Sequence, residues 1–395
     1  MMEPRAAAAA AVFLWTFLML ALGRLGPWPI PRGAASLAGG LVTALVLGIG
    51  AGVIDLQVIA LLAGLMVLAG LAEAAGLFAG LRRRLLRLPP WLALWASLVL
   101  MAATSALLLN DAAVVVLVPF LLPALRALGV RLVPAVALLA VAANLGSLLT
   151  PFGNPQNAVL AAHAGLTSLD FLRAQGLLVA AGLALLGLAC RVVGRRLEPP
   201  APPPPVAEPR GRPWLVACIL GFLALALIAP GLLGLGGAAL LCASVAWMGL
   251  RLRLRQAADD AAWRGLDGNV LALFVGLYLL TAGLGAWFPS TRLPLSALDT
   301  PGPALLATVT LANVVGNVPA ILTFVRLDGA WTAAHGMFLV TASTLGGTLF
   351  LTGSAASLIA ADQARKLGVE VRFGTFLQHA LWALPLLVAG AWLTW

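Results

Sequence analysis

The chain has 395 residues, of which 62% are hydrophobic and only 10% charged, and its mean hydropathy is +1.03. A water-soluble domain of this size does not have such a composition, which instead predicts an all-α polytopic membrane protein. The net charge of +10 does not indicate a nucleic-acid partner, because the basic residues stand between apolar runs rather than along one face.

The first part of the chain, residues 1–90, is predicted to be a scaffold of three spans. A span needs about 20 apolar residues at a rise of about 1.5 Å each, which places spans at 7–23, 35–53 and 56–80. Read as a signal peptide, the first run would have Arg5 as its basic region. We favour an uncleaved span, because no cleavage site followed by a soluble domain is present.

Residues 91–127 are apolar apart from a few hydroxyls and the pair Asn110 and Asp111. They predict either two spans or a re-entrant hairpin with its tip at that pair. A carboxylate inside the membrane is costly and usually functional. Asp111 is therefore a candidate to bind Na⁺ or to carry a coupling proton, although it is also suited to cap the half-helix that follows it.

Residues 132–168 predict a broken transmembrane helix, followed by another helix at 171–194. Pro151 and Pro155 lack an N–H and Gly153 loosens the backbone, so regular helix cannot continue through this loop. Unwound backbone at membrane depth is tolerated only where protein or a wet cavity satisfies it. The alternative is a plain loop between two short helices.

A proline-rich stretch, residues 195–213, predicts a stiff, solvated cytoplasmic linker that joins two halves of the chain. A ligand for a partner domain is the alternative. Residues 214–395 are predicted to form a second repeat with the same order of elements as the first half. Its elements are a scaffold at 214–290, a hairpin at 300–327, a broken helix at 333–366 and a last helix at 375–395.

The two broken segments align at one constant offset, with Gly346 on Gly146 and Gly353 on Gly153. Polar interruptions at matching places in two halves of a hydrophobic chain point to a transporter binding site. Asparagine amides donate and accept, so they suit anions and cations alike, although a buried asparagine can also serve only the loop backbone. The candidate ion- and substrate-binding residues are Asn110, Asp111, Thr150, Gly153, Asn154, Asn157, Asn313, Asn317, Thr352, Gly353 and Ser354.

Charge predicts the topology. If each hairpin enters and leaves on one side, nearly all of the 24 basic residues collect on one face, which the positive-inside rule makes cytoplasmic. Each half then crosses the membrane five times, and because five is odd, the second half enters from the opposite side and is inverted relative to the first. The sequence thus predicts two inverted repeats of five transmembrane helices, each with a re-entrant hairpin and a broken helix. Both termini lie outside in this topology, against the local evidence of Arg5, and the membrane is the inner membrane of a bacterium.

The remaining polar residues predict structural roles. Glu73 is expected to be a buried acid in the third span that pairs with a scaffold arginine, and Asp362 to form a solvated ion pair with Arg365 or Lys366. His163 lies just past the first broken loop and is interpreted as structural. No metalloprotease, nucleophile-elbow or phosphate-loop motif is present, so we expect neither an enzyme nor a cofactor.

The segment Gly146–Asn157 resembles the Gly-x-x-x-Thr-Pro-x-Gly-x-Pro-x-Asn loop of the ion-transporter superfamily, which includes arsenite permeases, divalent-anion/sodium symporters, citrate-transporter-like permeases and related Na⁺/H⁺ antiporters. The Asn110–Asp111 pair resembles the arsenite-permease side. The resemblance implies an elevator-type secondary transporter, usually a homodimer. It also implies a Na⁺ site at Asn110, Asp111 and the Thr150–Asn154 loop, with a mirror site at Asn317 and Thr352–Ser354.

One departure bears on the substrate. Dicarboxylate symporters of that superfamily carry Ser-Asn-Thr at both hairpin tips, whereas here Leu109 and Asp111 flank the first asparagine, and Gly316 and Val318 flank the second. A small anion or oxyanion, coupled to Na⁺ or H⁺, is the favoured substrate. The alternatives are a Na⁺/H⁺ antiporter without an anion substrate, and a non-transporting receptor or scaffold that uses the proline-rich linker.

Overall fold

The computed structural model describes residues 4–25, 27–202, 212–228, 230–287, 300–317, 320–321, 324 and 333–395. The first half contains the helices α1 (Pro4–Leu22), α2 (Arg32–Leu47), α3 (Leu56–Ala74), α4 (Ala79–Leu85), α5 (Pro90–Leu107), α6 (Asn110–Ala127), α7 (Leu132–Ser147), α8 (Pro155–Ala164) and α9 (Ser168–Val193). The second half contains α10 (Arg212–Ile228), α11 (Pro230–Leu254), α12 (Gln256–Gly265), α13 (Gly268–Trp287), α14 (Pro301–Val315), α15 (Ala333–Thr348), α16 (Ala355–Lys366), α17 (Phe373–Ala380) and α18 (Leu384–Thr394).

The prediction of an all-α polytopic fold is confirmed. Eight helices in the described ranges are long and apolar enough to cross a membrane. The only strands in those ranges are Arg24–Leu25 and Trp28–Pro29, which pair in a two-stranded hairpin. The inverted orientation of the two halves, their domain bounds and the side on which the termini lie stay predictions.

Scaffold helices of the first half pack on scaffold helices of the second half, α2 on α13 and α3 on α11. Polar contacts fix the first pair. The Ser36 hydroxyl donates to the Leu273 carbonyl at 2.9 Å, and the Gly33 N–H donates to Asn269 Oδ1 at 3.0 Å. Since each pair joins segments from opposite halves, neither scaffold half packs independently of the other.

Helix α7 lies at the centre of the fold and is buried along nearly its whole length. It packs against α5, α6, α9, α16 and α17. A helix surrounded on all sides needs no polar face, which explains why this sequence shows no amphipathic pattern.

Both predicted broken segments are interrupted. After α7, Pro151–Gly153 form a single 3-10 turn, and α8 starts at Pro155, where a missing N–H costs nothing because the first helical N–H groups have no intrahelical partner. Between α15 and α16, Ser354 takes an extended conformation before the second half-helix begins. The α5–α6 pair is interrupted at Leu108, which is also extended.

Two expectations about acidic residues were wrong. Glu73 pairs with Arg82 at 2.8 Å as predicted, but it lies in the last turn of α3 with 53% of its side chain exposed. Asp362, expected to be solvated, is only 4% exposed, and its carboxylate accepts from Arg365 at 2.8 Å and from Asn269 Nδ2 at 2.7 Å. The groups that meet α16 here come from far along the chain, because Asn269 donates to Asp362 and Asp267 accepts from Gln363.

Candidate functional site

A buried polar cluster is centred on Asn144, in the last turn of α7. Asn144 Oδ1 accepts a hydrogen bond from Asn110 Nδ2 at 2.9 Å. Its Nδ2 donates to the Ala140 carbonyl at 3.0 Å and lies 3.3 Å from Ser354 Oγ. The three polar side chains Asn110, Asn144 and Ser354 are each 4% exposed or less. One amide thus joins the start of α6, at Asn110, to Ser354, which immediately precedes α16.

Asp111 lies beside this cluster in the first turn of α6, where its own N–H donates to Asn110 Oδ1 at 2.7 Å. Its carboxylate lies against the backbone N–H of Ala356, in the first turn of α16. The first N–H groups of a helix lack intrahelical partners and carry partial positive charge. Asp111 therefore lies at the N-terminal ends of two helices, its own α6 and the distant α16, where a negative charge is stabilising.

The first broken loop is held by its own asparagines. Asn157 Nδ2 donates to the carbonyls of Ser147 and Thr150, at 2.8 and 3.0 Å, and Asn154 Nδ2 donates to Ser147 Oγ at 2.7 Å. The Thr150 hydroxyl donates to the Ala106 carbonyl at 2.6 Å. The two Asn157 bonds satisfy backbone carbonyls at the break that would otherwise be orphaned, and the Thr150 bond ties the loop to the end of α5. The Asn157 Oδ1 atom is buried and has no hydrogen-bond partner in the described structure.

The second broken loop is held in a similar way. Asn317, with its amide oriented by its neighbours, donates to the carbonyls of Ser343 and Gly353 at 3.0 and 3.1 Å. Asn313 Nδ2 donates to the Gly346 carbonyl at 2.9 Å, and its Oδ1 is buried without a partner in the described chain. Asn313 and Asn317 thus bond to the backbone of α15 and of the break that precedes α16.

The two loops fold alike at aligned positions. A Cβ on Gly153 would lie 2.2 Å from the Ser147 carbonyl oxygen, and one on Gly353 would lie 2.3 Å from the Gly347 carbonyl oxygen. Real Cβ contacts are never this short, so both positions require glycine. Thr352, next to Gly353, is half-buried. The local fold agrees with the offset read from the sequence.

The polar interior is shared between the halves in both directions. Ser354 reaches Asn144 from the second broken helix, and Gln156 Nε2 of α8 donates to Thr344 Oγ1 of α15 at 3.1 Å. A further link runs from Gln175 Nε2 of α9 to Thr341 Oγ1 at 2.6 Å.

The structure brings some predicted site residues together and separates others. Asn110, Asp111 and Ser354 share the Asn144 cluster, whereas Asn154 bonds to Ser147 and is not bonded to Asp111. The carboxylate and amide oxygens of the cluster are hard ligands of the kind that Na⁺ takes. In the ranges that the structure describes, no group of three or more His, Cys, Asp or Glu side chains forms a metal site.

Asn144 is the site residue that sequence reasoning missed. A signal for it was present, because it is the only amide in the apolar run 132–146 and stands just before the break. Its partner Ser354 is in the other half of the chain, so the sequence alone does not connect the two.

Comparison with known proteins agrees with this architecture. A family model for citrate transporters, CitMHS, matches residues 11–336. The inner membrane protein YbiR of Escherichia coli is 30% identical over 84% of this chain and 86% of its own length. The silicon efflux transporter LSI3 of Oryza sativa is 25% identical over 95% of this chain and 94% of its own.

A solved structure shares the fold. The crystal structure of the Alcanivorax borkumensis YdaH transporter, which has an unusual topology, matches 98% of this chain and 97% of its own, with a TM-score of 0.52 and 19% identity. The family model, the Oryza sativa relative and the solved structure are all named as transporters. From the extent of the family match, the chain belongs to the CitMHS citrate transporter family and is a multi-pass integral membrane transporter.

Proposed function

We propose that this chain is a secondary active transporter of a small anion or oxyanion, coupled to Na⁺ or H⁺. The observation that carries the proposal is the buried carboxylate of Asp111 on the N-terminus of α16, where the Asn144 cluster joins the two halves. A helix N-terminus is a natural anion site, and here a protein carboxylate takes that position.

This geometry supplies a way to couple two ions. A proton or Na⁺ bound at Asp111 neutralises the carboxylate, so its hold on the backbone N–H groups of α16 weakens. Those N–H groups, with Ser354 and Asn144 beside them, then become donors for an anion. Loss of the cation restores the carboxylate, which competes with the anion for the same donors. Cation and anion are therefore expected to bind together and leave together.

The chemistry of the site favours a small oxyanion or a neutral oxyacid over a larger carboxylate. Among the described residues that form the hydrogen bonds around both broken loops, none is a lysine, arginine or histidine. Each additional buried negative charge needs its own donors or counter-charge. The family is named for citrate, and citrate would need more positive charge than this cluster offers. One relative is named for silicon, which dissolves in water as a small oxyacid.

We further propose alternating access of the elevator type, with α5–α8 and α14–α16 moving against the remaining helices, and a homodimer. Both rest on the resemblance of the Gly146–Asn157 loop and on the repeat pattern of interrupted helices. Any movement of α16 must break the hydrogen bonds from Asn269 to Asp362 and from Gln363 to Asp267, which join α16 to the start of α13.

The test uses purified protein in proteoliposomes, with uptake of arsenite, silicic acid, phosphate, sulfate and citrate measured under an imposed Na⁺ or proton gradient. We expect one small oxyanion or oxyacid to accumulate only with one gradient. Asp111→Asn should abolish gradient-driven accumulation, whereas the matched control Asp260→Asn, at an exposed ion pair, should not. Normal coupled uptake by Asp111→Asn would remove Asp111 from the mechanism.

A Na⁺/H⁺ antiporter is the second candidate, favoured because the Asn144 cluster has the carboxylate of Asp111 beside it and no basic side chain among its described hydrogen-bond partners. It predicts Na⁺-driven proton flux without any added anion and no uptake of the five substrates. A receptor or scaffold predicts no flux at all and no effect of Asp111→Asn.

A further inference from the structure

A groove of about 380 Å³ lies between α5 and α9, away from the polar cluster. It lies near the start of α5 and the end of α9, which run side by side. Its walls include the indoles of Trp91 and Trp95 and the side chain of Leu188, and Arg191 lies at one end. Leu188 is 54% exposed, so the groove opens toward the outside of the protein.

The aromatic walls are fixed by the backbone of α9. Trp95 Nε1 donates to the Leu183 carbonyl at 3.0 Å, so its polar edge is satisfied and its ring presents an apolar face. Gly187 makes room for this ring, because a Cβ there would lie 3.0 Å from Trp95 Nε1. Gly194 similarly accommodates Trp91, whose Cβ would lie 2.8 Å from an added Cβ.

The charged end of the groove is available for an anion. The Arg191 guanidinium lies 4.7 Å from the centre of the Trp91 ring, a cation–π contact that holds it in place. Within the described part of the chain, Arg191 forms no ion pair. Arg195 and Arg196 follow one turn later and are exposed, so this end of α9 is strongly positive. A guanidinium binds phosphate oxygens through two parallel hydrogen bonds.

The surroundings identify the ligand class. Both α5 and α9 are long and apolar enough to cross the bilayer, and tryptophans at span ends lie at the level of the lipid headgroups. Anything that fills the groove must offer an apolar chain to the indoles and a negative group to Arg191. We propose that the groove is a specific site for an anionic phospholipid, with the headgroup phosphate on Arg191 and an acyl chain along Trp91 and Trp95. A soluble anion would leave the apolar walls uncovered.

The test is native mass spectrometry of the purified full chain in detergent with phosphatidylglycerol or phosphatidylcholine added. We expect the protein to retain phosphatidylglycerol preferentially. Arg191→Gln should reduce that retention at least several-fold, whereas Arg173→Gln, an exposed arginine at the other end of the same helix, should leave it unchanged. Size-exclusion profiles check that both variants fold.

Three results would overturn the proposal. The first is equal retention of the two lipids by the unmodified chain, and the second is an equal loss of retention in both arginine variants. The third is a second copy of the chain in the groove, which would be revealed if Leu188→Cys forms disulfide-linked dimers in membranes at high yield. None of these outcomes depends on the transport activity, so the lipid site and the transport proposal fail or stand separately.

Discussion

Asp362 offers the sharpest test of how this fold is held together. Its carboxylate accepts from Arg365 at 2.8 Å and from Asn269 Nδ2 at 2.7 Å, and the same Asn269 accepts from the Gly33 N–H at 3.0 Å. Asp362 therefore joins α16 to α13 through the Asn269 amide, and its charge also attracts Arg32, which is buried at the start of α2. Asp267, two residues before Asn269, adds a bond from Gln363 at 2.9 Å and an ion pair with Lys366. We predict that Asp362→Ala destabilises the protein strongly.

The magnitude follows from burial. Removing one partner of a buried ion pair costs about 3–5 kcal/mol. Here the acid is 4% exposed but Arg365 is 32% exposed, so water recovers part of its solvation. Asn269 loses one acceptor, which adds to the cost. We expect a loss of about 2–4 kcal/mol in the free energy of unfolding. The control is Asp260→Ala, which removes an exposed pair with Arg264 and should cost about 0–0.5 kcal/mol.

The assay is reversible unfolding in mixed detergent micelles, followed by the fluorescence of the 12 tryptophans. Asp362→Asn should fall between the two alanine variants, because its amide oxygen still accepts from Asn269. The reasoning is refuted if Asp362→Ala and Asp260→Ala shift the unfolding midpoint equally, since the cost would then not depend on burial.

Two further substitutions test the site. Gly153→Ala should destabilise the protein by about 1–3 kcal/mol or more, because the new Cβ would collide with the Ser147 backbone. The control is Gly176→Ala in α9, whose Cβ would meet only a side-chain atom at 3.8 Å. This control should stabilise the protein by about 0.4–1 kcal/mol. Thermal unfolding midpoints that move in the same direction would contradict this. Asn144→Ala should cost about 1–3 kcal/mol, because it leaves the buried Asn110 amide without its acceptor, and should remove ligand-induced thermal stabilisation. A variant that keeps that stabilisation shows that Asn144 is not part of the binding site.

Much of the architecture could be predicted from local sequence. Hydrophobic runs of about 20 residues predict membrane helices wherever they occur, because the bilayer thickness sets the length. Pro151, Gly153 and Pro155 determine the break after α7, since a missing N–H and a flexible backbone act on their own segment. The positions of the helices and of their breaks could therefore be predicted from the sequence, and so could the matching positions of the polar residues in the two halves.

The tertiary structure decided which polar groups meet. Asp111 reaches the start of α16, and Asn144 reaches Ser354, across most of the chain. Asn269, which donates to Asp362, comes from far along the chain, and the exposure of Glu73 depends on where α3 ends. Hydrophobic runs specify that a segment is buried in lipid or protein, but they are nearly identical in character and do not encode which helix lies beside which. Only packing supplies the partners, and partners decide whether a carboxylate is a cap, an ion pair or a binding site.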